Sequence, residues 1–181
     1  MKFINTNIEL VKIIEPEIHS DARGYFFESF KSTLFHDNKI PNTFLQDNEV
    51  RSKRGVLRGL HYQLRNPQGK LVRVIYGSIL DVAVDIRRGS PTFGHYVSVK
   101  LTDKNKKILY VPPGFAHGYL VMSNDSIIVY KCTNEYNQRD EYGIRWDDGD
   151  INIKWQIQDP IISKRDENLP LLKNQKLLPK Y

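Results

Sequence analysis

From residue 71 to residue 131 the chain is a succession of short β-rich runs, each cut off by glycine, proline, asparagine or aspartate. Residues 71–76 run into Gly77-Ser78, and 107–111 run into Pro112-Pro113-Gly114. Residues 118–122 and 126–131 flank Ser123-Asn124-Asp125, a hairpin-like break. In 79–86, Asp81, Ala83 and Asp85 fall on one strand face and Val82, Val84 and Ile86 on the other. Residues 95–101 alternate as well. Short strands at near-regular spacing predict an all-β sandwich or barrel. Helical periodicity is rare: a short helix is expected at 32–38 and another near 163–167.

The 181 residues fit one domain. We expect a barrel with an N-terminal arm over about 1–45 and, from about residue 142, a C-terminal extension packed on it. No apolar run of about 18 residues exists, so no membrane partner is expected. Met1-Lys2-Phe3-Ile4-Asn5-Thr6-Asn7 has no secretory signal pattern, and Cys132 is the single cysteine. A cytoplasmic location is the expectation. The net charge of +6 permits an anionic ligand, but the basic residues are scattered, and no basic helix or stacking motif points to nucleic acid.

Chemistry-bearing residues concentrate in two stretches. The first is Gly55-Val56-Leu57-Arg58-Gly59-Leu60-His61-Tyr62-Gln63, followed by Gly69-Lys70-Leu71-Val72-Arg73. Strict alternation would set Arg58 and His61 on opposite faces; a glycine bulge at Gly59 would bring them to one. The second is Pro112-Pro113-Gly114-Phe115-Ala116-His117-Gly118, which resembles the second motif of the cupin superfamily. The first cupin motif is present only in part. Gln63 stands where a second histidine belongs and no glutamate follows in range, so the ligands for a divalent metal fall short. No metal and no cofactor are expected.

A barrel lined by His, Lys, Arg and Tyr suits proton chemistry beside a ketone. A neutral histidine takes a proton near pH 7, and a cation stabilises the enolate that forms. Asp166 and Asp85 are both candidates, on charge alone, to orient the imidazole. Arg58 and Arg23 suit a diphosphate. Against these stand plainer readings. A strand histidine or tyrosine is commonly structural, Lys70 follows a turn, and Trp146, Trp155 and Cys132 read as packing residues.

Nine stretches in order, 21–30, 46–48, 55–63, 69–73, 81–87, 90–94, 113–118, 130–131 and 163–166, resemble the dTDP-4-dehydrorhamnose 3,5-epimerase family over nearly the whole chain. The resemblance implies a homodimer of cupin-like jelly-roll subunits without metal. It implies inversion of C3 and C5 of dTDP-4-dehydro-6-deoxy-D-glucose on the way to dTDP-rhamnose. By position, His61 looks like the base, Asp166 its orienting carboxylate, Tyr130 the acid and Lys70 the enolate stabiliser. Gln46, Asp47, Asn48, Arg58, His117, Glu141 and Arg165 match substrate-binding positions. Arg23, Phe26 and Glu28 match the stretch that in the family reaches the neighbouring subunit's nucleotide, so the resemblance implies that they act in trans. Arg165 stands where the family often has lysine, keeping charge but not shape. The alternatives are an epimerase of one carbon or of another nucleotide sugar, a metal-dependent cupin, and a non-catalytic sugar-binding cupin.

Overall fold

In the computed structural model, residues 1–181 form thirteen strands and two short helices. One sheet has six strands in the order β1 (Lys2–Asn5), β2 (Lys12–Glu15), β10 (Ile108–Val111), β7 (Lys70–Tyr76), β12 (Asp125–Cys132), β5 (Gln46–Lys53). The other has five, in the order β13 (Glu141–Gly143), β6 (Leu57–Gln63), β11 (Phe115–Val121), β8 (Ser78–Asp85), β9 (Tyr96–Thr102). A separate hairpin pairs β3 (His19–Asp21) with β4 (Gly24–Phe26). The helices are α1 (Ser32–Asp37) and α2 (Lys164–Glu167). This is the expected jelly roll.

Strand alternation sorts the side chains into layers. Val72, Val74, Ile79, Ala83, Leu109, Phe115 and Ile128 meet between the two sheets. Leu60, Tyr62, Leu80, Val82, Val84, Ala116 and Leu120 point away from that interior, onto Ile144, Ile151, Trp155 and Leu172 of the C-terminal extension. Both faces of β8 are therefore covered. That is why its acidic–apolar alternation, which resembles a wet and a dry face, leaves Asp81 and Asp85 wholly buried. Ile14, Ile108 and Tyr110 on the outer side of the six-stranded sheet pack on Phe35 of α1.

The terminal segments divide differently from a simple arm and tail. Residues 2–5 and 12–15 are inside the larger sheet, and what stands apart is the β3–β4 hairpin, with Tyr25 58% and Phe26 66% exposed. Beyond β13, irregular backbone is pinned by side chains. Trp155 Nε1 donates to the Trp146 carbonyl at 2.8 Å, and Asp148 accepts from the Leu172 N–H at 2.6 Å. The Arg87 guanidinium stacks on Phe115 and Tyr181, each ring centroid 4.8 Å away.

At the crossing of β6 and β11 the pairing slips: His61 faces His117, yet Arg58 faces Tyr119. Three steps along β6 match two along β11, which is the bulge anticipated at Gly59. The two backbones touch there. A Cβ on Gly59 would sit 2.6 Å from Gly118 Cα, and one on Gly118 would sit 2.6 Å from the Arg58 carbonyl oxygen. Gly118→Ala should accordingly cost about 2 kcal/mol or more. Gly149→Ala, whose new carbon meets nothing within 4 Å, should stay within about 0.5 kcal/mol. Chemical denaturation of the two variants checks this, and equal stabilities would refute the close crossing.

Candidate active site

The slip at Gly59 turns Arg58 and His61 into the same mouth of the barrel. Both line a cavity of about 570 Å³ together with Lys70, His117, Tyr130, Tyr136, Glu141, Arg165 and Asp166. The five-stranded sheet contributes His61 and His117, and the six-stranded sheet contributes Lys70 and Tyr130.

His61 and Asp166 are 105 residues apart in sequence, and His61 Nε2 lies 2.7 Å from Asp166 Oδ1. A carboxylate oxygen accepts, so Nε2 carries the proton and Nδ1 keeps its lone pair. Asp166 is held from three sides. Its backbone N–H donates to Ser163 Oγ at 3.1 Å, fixing the start of α2, and its Oδ2 accepts from the Gly59 N–H at 3.2 Å. Burial pushes the Asp166 carboxyl up, but the hydrogen bond and charge of His61, with Gly59 and Ser163, outweigh it and hold the group below the ordinary aspartate value. Asp85, the other candidate partner, is engaged elsewhere: it accepts from Arg87, Ser90 and Thr92.

On the Nδ1 side, Glu141 Oε1 is 3.7 Å from His61. Glu141 Oε2 accepts from the Tyr136 hydroxyl at 2.7 Å and from Arg165 Nη1. Gln63, standing at the incomplete cupin motif, ties this loop down. It donates to the carbonyls of Asn66 and Glu135 and accepts from the Asn137 N–H. His61 Nε2 and His117 Nε2 each face a carboxylate, the latter Asp81 Oδ1 at 2.8 Å. No three His, Cys, Asp or Glu side chains converge in a geometry that could hold a metal ion.

Lys70 begins β7 opposite Cys132. Burial lowers its ammonium below the usual lysine value, against the opposing pull of Cys132, Glu141 and Asp81, and no hydrogen bond of the protein holds it. Burial pushes the Tyr130 phenol up, aided by Cys132 and Glu141 and resisted by Arg58, so the hydroxyl keeps its proton at neutral pH. Arg58 donates to Ser52 Oγ from Nε and Nη2, both at 3.3 Å.

Other expected site residues lie outside the cavity. Asn48 and Asp47 line an adjoining groove of about 380 Å³, where Asp47 pairs with Lys131 at 2.6 Å. Gln46 donates to Asn48 and accepts from the Tyr136 N–H. Within one chain, Arg23, Phe26 and Glu28 do not join the cavity. Arg23 pairs with Asp21 on the hairpin, its side chain 91% exposed, and Glu28 faces Lys31. Conversely, Tyr136, Ser52 and Asp81 belong to the site or its support, though nothing in the sequence singled out Ser52. Tyr136 sits in the acidic loop that suggested Glu141, and Asp81 in the alternating strand.

The match to the family model of dTDP-4-dehydrorhamnose 3,5-epimerase extends over residues 5–174. The chain belongs to this family. The dTDP-4-dehydrorhamnose 3,5-epimerase of Methanothermobacter thermautotrophicus is 50% identical over 177 residues, covering 96% of each chain. The solved structure of the Legionella pneumophila epimerase in complex with dTDP-4-keto-L-rhamnose matches with a TM-score of 0.96 and 46% identity, covering 99% of this chain and 98% of that one. A 3′-monoepimerase from Streptomyces bikiniensis, in complex with dTDP-quinovose, matches with a TM-score of 0.92 and 36% identity, covering 98% and 92%. No helix of this family member is long and apolar enough to cross a membrane.

The depressed Lys70 ammonium has a direct readout. In competitive acetylation followed by peptide mapping, its labelling should rise at a lower pH than that of an ordinary lysine. A midpoint at or above the ordinary lysine value would contradict the buried placement.

Proposed function

We propose that this chain inverts C3 and C5 of dTDP-4-dehydro-6-deoxy-D-glucose, giving dTDP-4-dehydro-L-rhamnose. The observation that carries the reading is His61 of the five-stranded sheet paired with Asp166 of α2, sharing a cavity with the Tyr130 phenol and the Lys70 ammonium of the six-stranded sheet. His61 Nδ1 takes the proton from the carbon beside the ketone. The C–H electrons move into a C=C bond and the carbonyl π electrons onto oxygen. Lys70 stabilises that oxygen by charge, the polarisation that a metal ion would otherwise supply. The imidazolium is stabilised by Asp166. Tyr130 returns a proton to the opposite face of the carbon, which inverts it; its phenolate then regains a proton from water while the His61 imidazolium gives its proton up to water.

Arg58 and Arg165 suit the substrate's diphosphate and its flanking groups, with His117, Glu141, Gln46, Asp47 and Asn48 around them. The functional unit is a homodimer in which the hairpin of one subunit brings Arg23, Phe26 and Glu28 to the other's nucleotide. The exposed Phe26 and the outlying β3–β4 hairpin support this arrangement. A second reading, inversion at a single carbon, is favoured by the match to a 3′-monoepimerase.

Turnover of the 4-keto sugar, coupled to a reductase, tests the assignment. His61→Ala is expected to abolish turnover while dTDP binding survives, and a variant with wild-type turnover would remove His61 from the role of base. Tyr130→Phe should slow inversion yet leave some exchange of the C–H with solvent, since proton removal needs only the base; equal loss of both would give Tyr130 another function. For the dimer, inactive Arg23→Ala and His61→Ala subunits should complement when mixed. In a random mixture of two-fold dimers about a quarter of the wild-type activity returns. No recovery after verified subunit exchange would place Arg23 in its own subunit's site.

A further inference from the structure

β8 carries two carboxylates on one face, and their surroundings differ. Asp85 is fully buried and fully answered: the Arg87 guanidinium, Ser90 Oγ and Thr92 Oγ1 all donate to it. Asp81 is equally buried, but its Oδ1 meets only His117 Nε2 at 2.8 Å, and its Oδ2 has no partner at all. A buried carboxylate oxygen without a donor is costly and uncommon in a merely structural role. Its charge is not shared with a backbone N–H, as that of Asp166 is with Gly59. It faces instead the polar groups nearest to it at the back of the cavity.

Two such groups stand there. His117 is in direct contact. The Lys70 ammonium, without a hydrogen bond of its own, interacts by charge with Cys132 of β12, Glu141 of β13 and Asp81 of β8. Glu141 is already paired with Arg165, and the Cys132 thiol is kept protonated by burial. Asp81 exerts the weakest of these pulls on Lys70, but unlike Glu141 it has no arginine partner. His61 and Arg58 of β6, Tyr119 of β11 and Tyr130 of β12 complete the titratable surroundings.

We propose that Asp81 is a positioning residue of the reaction: it fixes the His117 ring against the cavity wall and supplies the buried negative charge that keeps Lys70 protonated. The proposal rests on the epimerase reading above. An enolate oxygen is stabilised far better by an ammonium than by a neutral amine, while burial favours the neutral amine. A carboxylate behind the cavity opposes that tendency. The interposed His117 ring keeps the carboxylate from facing the enolate directly.

Asp81→Asn keeps the shape and an acceptor for His117 but removes the charge. Competitive acetylation should show the Lys70 midpoint falling, the direction expected when an opposite charge is lost. kcat should fall about tenfold at neutral pH with KM nearly unchanged, as for an interaction made only in the transition state. In a His117→Asn background the kcat loss should shrink, since the two act through one contact. Asp85→Asn, on the same face, should lower stability and leave the Lys70 midpoint in place. An unmoved Lys70 midpoint in Asp81→Asn, or additive losses with His117→Asn, would overturn the proposal. Should Asp81→Asn not fold, proton NMR of the unaltered protein decides. A far-downfield Nε2–H resonance that persists in His61→Asn and vanishes in His117→Asn supports the Asp81–His117 bond, and its absence refutes it. Labelling and NMR read no turnover, so they stand or fall separately from the assignment of His61 as base.

Discussion

Gly59 and Gly118 lie back to back where β6 crosses β11, at a separation that leaves no room for a side chain on either. The rest of the site follows from that crossing. Because β6 slips by one residue there, Arg58 and His61 both enter the barrel, while Leu60 and Tyr62 remain in the layer against the C-terminal extension. The same turn of backbone presents the Gly59 N–H to Asp166, so the bulge orients Asp166 as well as His61. An ordinary strand would have sent either the arginine or the histidine into the wrong layer.

The electrostatics of the cavity arise from the way its walls are built. Each histidine is backed by a carboxylate from a different element, Asp166 from α2 and Asp81 from β8. These contacts fix which ring nitrogen carries a proton and so which one is free to act. The Lys70 ammonium is disfavoured by burial, whereas the Tyr130 phenol is kept protonated by it, so one low-dielectric pocket tunes a cation and an acid in opposite senses. Arg165 anchors Glu141 beside His61.

Much of the barrel was legible in the sequence, because strand ends coincide with turn residues whose chemistry is local. The run read at 71–76 is β7 (Lys70–Tyr76), and that at 126–131 is β12 (Asp125–Cys132). Both short helices fall where they are expected, α1 (Ser32–Asp37) within 32–38 and α2 (Lys164–Glu167) within 163–167. The long-range contacts were not legible from residue pattern alone. Nothing local links His61 to Asp166, and it was likeness to a family that joined them. Period-two alternation puts Asp81 and Asp85 on one face but is blind to the Arg87–Ser90–Thr92 turn that satisfies only the second. Arg23, Phe26 and Glu28 lie outside the cavity of their own chain, a placement that alternation and spacing alone do not reveal. Ser52 and Tyr136 act through contacts that only the folded loops create.

The central claim is that one imidazole, aimed into the barrel by a glycine crossing and a buried aspartate, takes protons from carbons flanking a ketone. Conversion of the dTDP-4-keto-6-deoxy sugar by the unaltered protein in D2O, with the product resolved by NMR, examines it most directly. The account predicts solvent deuterium at both C3 and C5, each with inverted configuration. Deuterium at C3 alone would assign a single inversion. Product that retains its original hydrogens at both carbons would contradict proton abstraction altogether.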